Sequence, residues 1–362
     1  MGALAVAVIA SGADAARFDC KSAANPMEQA ICTSPELSAL DERMARSYAR
    51  AMHALGAEGA ARLKESQRAW LRFVTPACVS RRSIAPGAGG DFALASCIQA
   101  EFGWRVRQLE QAGVRIGPYV FNRIDRYLSR PAAADDDTGS HHGIVVHQVA
   151  YPQIDAPRSA ATDAWNAAQR REPAPLDPQD DTDEEADYTI HCVGERFISL
   201  GIFNSQYVHG AAHGEYRRGS HTLLLAPSMR ELAADDVFTP RSDWQGRLPS
   251  LFWGVYLEKN RAEKDLPGVE PAIRARAIDP AAWLPTPAGL QISFDAYEAG
   301  CYACDPGPLT VPWSTLKPLL ATPEIAACEA PVAARPLTRC RPARGLSAAA
   351  STARPSARPR PP

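Results

Sequence analysis

The sequence has no apolar stretch long enough to cross a membrane. The apolar run at residues 4–10 is far shorter than the roughly 20 residues that a membrane-spanning helix needs. The chain also lacks the Gly-x-Ser-x-Gly elbow, the phosphate loop, the dinucleotide fingerprint and the His-Glu-x-x-His motif. These absences argue against a membrane-embedded protein and against the common enzyme classes. We therefore predict a non-enzyme with no membrane span, no catalytic residue, no cofactor and no metal.

The first sixteen residues are typical of a secretory leader. The apolar run is followed by Ser11-Gly12 and by the small-x-small triplet Ala13-Asp14-Ala15, although no Lys or Arg precedes it. The alternative is a buried N-terminal strand or helix. The layout predicts a signal peptide over residues 1–16 and a periplasmic or secreted protein.

Four of the nine cysteines, Cys20, Cys32, Cys78 and Cys97, lie in one short segment. In an exported chain such a set indicates disulfides, whereas in a cytosolic enzyme it would suggest metal or redox chemistry. Three pairings are possible. The local one, Cys20 with Cys32 and Cys78 with Cys97, is favoured because neighbouring helix ends meet in a helical hairpin.

The remaining cysteines lie in the second half of the chain. Cys301 and Cys304 have the spacing of a redox dithiol, but the Pro306-Gly307-Pro308 segment excludes the helix that such a dithiol needs. We expect instead a disulfide that involves Cys192 or closes within this turn. Cys328 and Cys340 are predicted to pair with each other.

The formal charge of −2 hides a segregation of charge along the chain. Residues 17–115 carry 14 Lys and Arg against 10 Asp and Glu, residues 116–330 carry 18 against 30, and residues 331–362 carry 7 against none. An acidic body disfavours nucleic acid and favours a basic partner.

Residues 25–111 have the pattern of a small helical bundle. Asn25-Pro26-Met27-Glu28 is a capping-box start, and Ser34-Pro35-Glu36 repeats the start signal. Two apolar stripes follow at helical spacing, and a third helix is expected from about Asp91. The first stripe is Leu37, Leu40, Met44, Tyr48 and Met52, and the second is Leu63, Gln67, Trp70, Leu71, Val74 and Cys78. Such helices are expected to bury their stripes against one another.

The chain changes to strand-like character from about Ile116. Strands are predicted over 143–151, 188–192, 197–208, 221–225, 290–297 and 309–311, with a helix over 160–171 and a solvated acidic loop over 172–187. The predicted fold class is α+β, a disulfide-stapled helical bundle followed by a domain with a mainly antiparallel sheet. The predicted divisions are the leader, 17–115, 116–187, 188–329 and a disordered tail over 330–362.

The helical segment resembles the lysozyme-inhibitor LprI-like N-terminal domain over about residues 17–111. The similarity is carried by Glu28-Gln29-Ala30-Ile31-Cys32, by Gln67-Arg68-Ala69-Trp70-Leu71 and by the spacing of the four cysteines. The second half, about residues 116–325, is similar to the extracytoplasmic domain of RsiV-type anti-sigma factors and of some polysaccharide deacetylases. That similarity is carried by the segment from Tyr207 to Gly214 and by Val311-Pro312-Trp313-Ser314, with Ala211-Ala212 where that family has two glycines. Both resemblances imply lysozyme binding.

These resemblances predict a periplasmic lysozyme-binding or envelope-stress-sensing protein that acts by steric contact. The alternative is an envelope protein that binds glycan or peptidoglycan, with or without hydrolase activity. The occluding contact is predicted at the corner that contains Tyr207, His209, His213 and Tyr216. Steering of a basic partner is assigned to five acids, Asp180, Asp181, Asp183, Glu184 and Glu185. Because Gly210 follows His209 at a strand-to-loop corner, we expect hydrogen bonding rather than zinc binding from the two His.

Overall fold

The computed structural model describes residues 20–84, 88–133, 143–177, 179–226, 228–260, 267–302 and 305–330, with backbone only at 80–84 and 88–89. The predicted leader, most of the predicted tail, His141, His142, Cys304 and Cys340 lie outside these ranges. Within them, no helix is both long and apolar enough to span a membrane.

Four helices form the N-terminal bundle. They are α1 (Pro26–Thr33), α2 (Pro35–Ala54), α3 (Ala57–Ile84) and α4 (Ala88–Gln111). The predicted starts are confirmed: the Asn25 side chain accepts from the Glu28 amide at 2.9 Å, and the Ser34 hydroxyl accepts from the Leu37 amide at 3.3 Å. These caps supply partners for amides that a helix leaves unbonded at its first turn. The predicted disulfides Cys20–Cys32 and Cys78–Cys97 are both present.

The bundle does not close on itself, contrary to the sequence-based expectation. Ile144 and Val146 of a following strand belong to its core, and the rings of Phe73 and Tyr127 stack 5.3 Å apart. The stripe prediction is also wrong for Leu71, whose side chain is 39% exposed. Consecutive residues point about 100° apart on a helix, so Leu71 turns outward while Trp70 is buried.

A seven-stranded sheet follows the bundle, with strand order β1-β2-β3-β4-β5-β6-β7. All pairs are antiparallel except β3 with β4, which are parallel and joined through helix α5 (Ala160–Gln169). The strands are β1 (Val114–Ile116), β2 (Tyr119–Pro131), β3 (Ile144–Ala156), β4 (Thr182–Val193), β5 (Phe197–Val208), β6 (Glu215–Leu224) and β7 (Arg230–Glu231). Trp165 of α5 is fully buried in the core beneath this sheet.

The C-terminal part adds a second layer with its own core. It contains α6 (Ala234–Val237), α7 (Trp244–Lys259), α8 (Val269–Ala277), β8 (Leu284–Thr286), β9 (Gly289–Ile292), β10 (Leu309–Pro312) and α9 (Trp313–Leu316). Strands β8 to β10 form a small antiparallel sheet. Phe238, Trp244 and Trp283 pack their rings at 5.2–5.3 Å in the core.

Several predicted boundaries differ from the structure. The predicted acidic loop over 172–187 is wrong from residue 182 onward, because Thr182–Asp187 forms the first half of β4. This strand therefore runs through residues 187 and 188, where the predicted subdomains meet. Strand β3 continues beyond Pro152 to Ala156, β6 begins earlier than predicted, at Glu215, and β9 ends earlier, at Ile292.

The third disulfide joins Cys192 to Cys328, so the predicted Cys328–Cys340 pair is wrong. Cys192 lies near the end of β4 and the neighbouring Val193 forms a bridge with Glu329, which brings residue 328 alongside the sheet. Cys301 is also disulfide-bonded.

Candidate functional site

The predicted contact corner is the turn between β5 and β6. Gly210 has φ +82°, which favours glycine. At Gly214 a Cβ would lie 2.7 Å from the Gln206 carbonyl oxygen, so a larger residue would not fit beside β5. The Tyr207 hydroxyl donates to the Ala211 carbonyl at 3.1 Å, which ties the ring to the turn.

The two histidines of this turn have different environments. The side chain of His209 is 3% exposed, and its Nε2 lies 3.2 Å from Oδ1 of Asp183. The same oxygen accepts from the Val146 amide at 3.0 Å. His209 and Asp183 therefore fasten the turn to β3 and β4, and neither presents a surface to a partner. His213 is exposed.

The five predicted steering acids also divide into structural and accessible groups. Arg130 of β2 donates to the main-chain carbonyl of Asp180 at 2.8 Å and pairs with the Asp181 carboxylate at 2.9 Å. The Asp181 side chain is therefore bound to β2, whereas Asp180 is exposed. Glu184 is 31% exposed and accepts from Gln206 at 3.1 Å. Of the five acids, Asp183, Glu184 and Glu185 line the open space beside the sheet, and Asp183 is buried whereas Glu184 and Glu185 are partly exposed.

An aromatic cluster lies beside the corner, and sequence reasoning did not assign two of its members a role. His213 stacks on Tyr302 at 4.3 Å, and its Nε2 is 2.9 Å from the hydroxyl of Tyr297. Tyr216 packs edge-on to Tyr302 at 5.8 Å and stacks on Phe203 at 6.3 Å. Tyr297 and Tyr302 lie more than 80 residues after the turn, so only the tertiary fold reveals the cluster.

Charged groups hold Tyr216 in this cluster. Its hydroxyl donates to Asp305 at 2.8 Å, Arg218 lies 4.4 Å over its ring, and Arg218 also pairs with Asp305. Burial and the hydrogen bond to the Asp305 carboxylate raise the pKa of Tyr216 to about 12. Tyr216 is therefore a neutral, positioned ring at physiological pH.

Tyr297 sits at a strained turn. Its φ is +65°, a region that residues with a Cβ seldom occupy, and its side chain is 48% exposed. Arg276 of α8 holds the turn through two hydrogen bonds to Glu298, at 2.5 and 2.6 Å. Strain of this kind persists only where surrounding contacts fix the backbone.

Two adjoining grooves run beside these residues. The first, here called the α4 groove, has a volume of about 440 Å³ and lies between α4 and the β5–β6 corner. The second, here called the Tyr297 groove, has a volume of about 760 Å³ and reaches the Asp295–Glu298 turn. The residues common to both are Gln148, Glu184, Glu185, Ser205 and Gln206. Carboxylates outnumber basic groups along both grooves.

A buried charge network connects the helical bundle to the sheet next to these grooves. Arg105 of α4 pairs with Asp125 of β2 at 2.9 Å, and Asp125 also pairs with Arg123 at 2.9 Å. Arg123 pairs in turn with Asp187 of β4 at 2.8 Å. Both guanidinium groups are fully buried. Burial raises the pKa of Asp187, while Arg123 opposes that change.

The described residues bring no three His, Cys, Asp or Glu side chains together as a possible metal site. The adjacent acids Asp235 and Asp236 do not form a facing carboxylate pair, because Asp236 is bonded to Arg230 at 2.6 Å. The hydrogen bonds from Arg230 lower the pKa of Asp236.

Comparison with known proteins finds a similarity for the helical segment. Residues 20–109 match the family model of lysozyme inhibitor LprI, which confirms the resemblance predicted for about residues 17–111. No curated protein sequence matches the chain. Among solved structures, a DUF3298 family protein from Bacteroides fragilis covers 57% of this chain and 97% of its own, with 15% identity and a TM-score of 0.44.

A DUF3298 family protein from Pseudomonas aeruginosa covers 57% of this chain and 96% of its own, with 13% identity and a TM-score of 0.39. These comparisons do not confirm the predicted resemblance of residues 116–325 to RsiV-type anti-sigma factors. The chain therefore combines a segment at residues 20–109 that matches the lysozyme inhibitor LprI family model with a following α+β domain.

Proposed function

We propose that this protein binds a lysozyme-type muramidase in an oxidising, extracytoplasmic compartment and blocks it sterically. The match of residues 20–109 to the lysozyme inhibitor family supports this function. Three disulfides among described residues support the compartment, since such bonds persist where thiols are oxidised.

The observation that carries the proposed contact site is the α4 groove. One wall is formed by residues of α4, including Gln99 and Arg107, which belong to the matched segment. The other wall contains Tyr207, the residue around which the contact corner was predicted from the second domain. A partner that enters this groove would therefore contact both parts of the chain.

The charge of the groove favours a basic partner. Glu184 and Glu185 lie on its floor, within an α+β domain that carries a surplus of acids. Attraction of this kind accelerates encounter more than it slows dissociation, and it weakens as salt is added. The half-buried ring of Tyr207, which lines the groove, would supply the short-range contact, because Tyr is enriched among residues that dominate binding energy.

Surface-based kinetics with a c-type lysozyme test these two roles. Glu184→Gln with Glu185→Gln should reduce the association rate by about threefold at low salt and leave dissociation nearly unchanged. Tyr207→Ala should accelerate dissociation by about tenfold. Glu195→Gln with Glu324→Gln is a matched control, because it removes two exposed carboxylates that lie outside both grooves.

His209 and Asp183 are left unchanged in these variants because their loss would release the turn itself. Absence of lysozyme binding by the folded wild type would refute the proposed function. If lysozyme binds but none of the groove variants changes its binding, the proposed function would hold and the proposed contact site would be wrong.

A glycan-binding function is the second candidate, favoured by the lining of the Tyr297 groove. Gln148, Asn204 and Gln206 offer amide groups that both donate and accept, beside the rings of Tyr216 and Tyr297. Titration with an N-acetylglucosamine oligomer tests it: saturable binding lost in Tyr297→Ala would support this candidate, and no binding would remove it.

A further inference from the structure

A separate groove lies within the helical bundle, between α1, α2 and α3. It has a volume of about 520 Å³, and its lining is mainly apolar. The buried side chains of Met27, Ile31, Met44 and Phe102 form its inner surface. Leu71, the stripe residue that the structure turns outward, lies along it and is 39% exposed. The two Met side chains are flexible and polarisable, which suits an irregular apolar guest.

The basic and acidic side chains along this groove differ in their exposure and in the contacts that they make. Lys64 and Arg68, four residues apart on α3, lie on one helical face, and both are exposed. Neither makes an ion pair or side-chain hydrogen bond with any described residue. The carboxylate of Glu28, by contrast, accepts from the amides of Ala24 and Asn25 at 2.7 and 3.4 Å and so caps α1. Asp41 is 6% exposed.

Arg68 already acts electrostatically on the groove. Burial raises the pKa of the Tyr48 phenol, and the charge of Arg68 works in the opposite direction. A guest with a negative headgroup would meet, above an apolar slot, two cations that form no ion pair with the described residues. A basic protein surface would meet repulsion, so this groove does not suit the partner proposed for the α4 groove.

We propose that this groove binds a single acyl chain with an anionic headgroup, the chain lying along Met27, Met44 and Leu71 and the headgroup facing Lys64 and Arg68. The headgroup is a carboxylate or a phosphate, since either accepts hydrogen bonds from ammonium and guanidinium groups. Occupancy of this groove is independent of muramidase binding.

Calorimetric titration of the full chain at pH 8, below the micellar concentrations, tests the proposal. Laurate or dodecyl phosphate should bind one molecule per chain, and the two arms distinguish a fatty acid from a phosphate headgroup. Dodecylammonium and the uncharged dodecyl maltoside should bind at least about tenfold more weakly, as expected from loss of two charged contacts.

Two variants separate the headgroup from the chain. Lys64→Gln with Arg68→Gln should weaken laurate about tenfold and abolish the preference over dodecylammonium. Ala45→Phe, which fills the groove from α2 without changing charge, should weaken all the amphiphiles alike. Arg46→Gln is the matched control, because Arg46 is exposed on α2, pairs with Glu42 among the described residues and does not line the groove.

Circular dichroism and the thermal midpoint confirm folding of each variant. Should Ala45→Phe not fold, the Lys64 and Arg68 variant, which changes only exposed side chains, decides the outcome. The proposal is overturned if folded wild type shows no saturable laurate binding, if dodecylammonium binds as tightly as laurate, or if removing both cations leaves laurate affinity unchanged.

Discussion

At the scale of single residues, Trp70 is the main anchor of the helical bundle. It is fully buried and packs edge-on against Phe102 with ring centroids 5.2 Å apart. Trp70→Ala should reduce the free energy of unfolding by about 3–5 kcal/mol, as large-to-small core changes do. Trp70→Phe should lose less, because the indole N–H has no hydrogen-bond partner among the described residues to forfeit. Leu71→Ala is the control with a small effect, and urea unfolding that ranks it equal to Trp70→Ala would contradict this assignment.

His191 of β4 should make stability depend on pH. Burial lowers its pKa in the folded protein, while the unfolded chain accepts a proton near the ordinary value of 6.5. Above about pH 6.5, His191 is neutral in both states and does not reduce the free energy of unfolding. As the pH falls below that value, the unfolded chain binds a proton that the folded protein does not bind, and the free energy of unfolding decreases. His191→Gln should flatten the decline in unfolding free energy between pH 7 and pH 5. Part of the decline should remain in this variant, because burial also lowers the pKa of His221. An unchanged slope would refute the assignment to His191.

Contacts between residues that are close in the sequence could be predicted from the sequence, whereas contacts between distant residues could not. The caps at Asn25 and Ser34 involve partners three residues away, so the chain order alone specifies them. The contact of His209 with Asp183 depends on the pairing of β4 with β5 and on the direction of the turn. No periodicity in the sequence encodes that register.

At the scale of elements, the first half of β4 shows why an acidic run was mistaken for a loop. Thr182–Asp187 carries four carboxylates, a composition that disfavours strands. The strand forms because both of its neighbours supply backbone partners and because the carboxylates of two of its acids have partners within the fold. Asp183 accepts from the Val146 amide, and Asp187 pairs with Arg123. Tertiary pairing thus overrides local propensity.

The contact between α4 and β2 depends on Arg105, whose charged side chain is fully buried. Arg105 donates to Gln67, Ser66, Gln108 and Asp125 at 2.9–3.0 Å. Arg105→Met should lower the free energy of unfolding by about 3–5 kcal/mol, because it strips buried acceptors of their donor. Arg105→Met with Asp125→Leu should recover part of this loss. Arg107→Met on the exposed side of α4 is the control, and an equal effect from it in urea unfolding would overturn the explanation.

At the scale of the whole molecule, the Cys192–Cys328 disulfide joins the large sheet to the C-terminal layer across 136 residues of chain. Replacing both cysteines with Ser should lower the free energy of unfolding by about 4 kcal/mol, since closing a long loop restricts the unfolded chain most. Replacing Cys20 and Cys32, which are 12 residues apart, should lower it less. Urea unfolding under oxidising conditions compares the two pairs, and the reverse order would contradict the loop-length argument.

The buried pairing of Arg105 with Asp125 limits how genes can rearrange this protein. The matched segment ends at residue 109, so a recombination event that copied it alone would carry the guanidinium and leave its carboxylate behind. The transplanted helices would then hold an uncompensated ion in their interior, which few hosts would tolerate. A successful transfer would require the recipient to provide an acid opposite position 105, or a simultaneous change of Arg105 to an uncharged residue. Inheritance of the helical segment is thereby coupled to that of the strand that follows it.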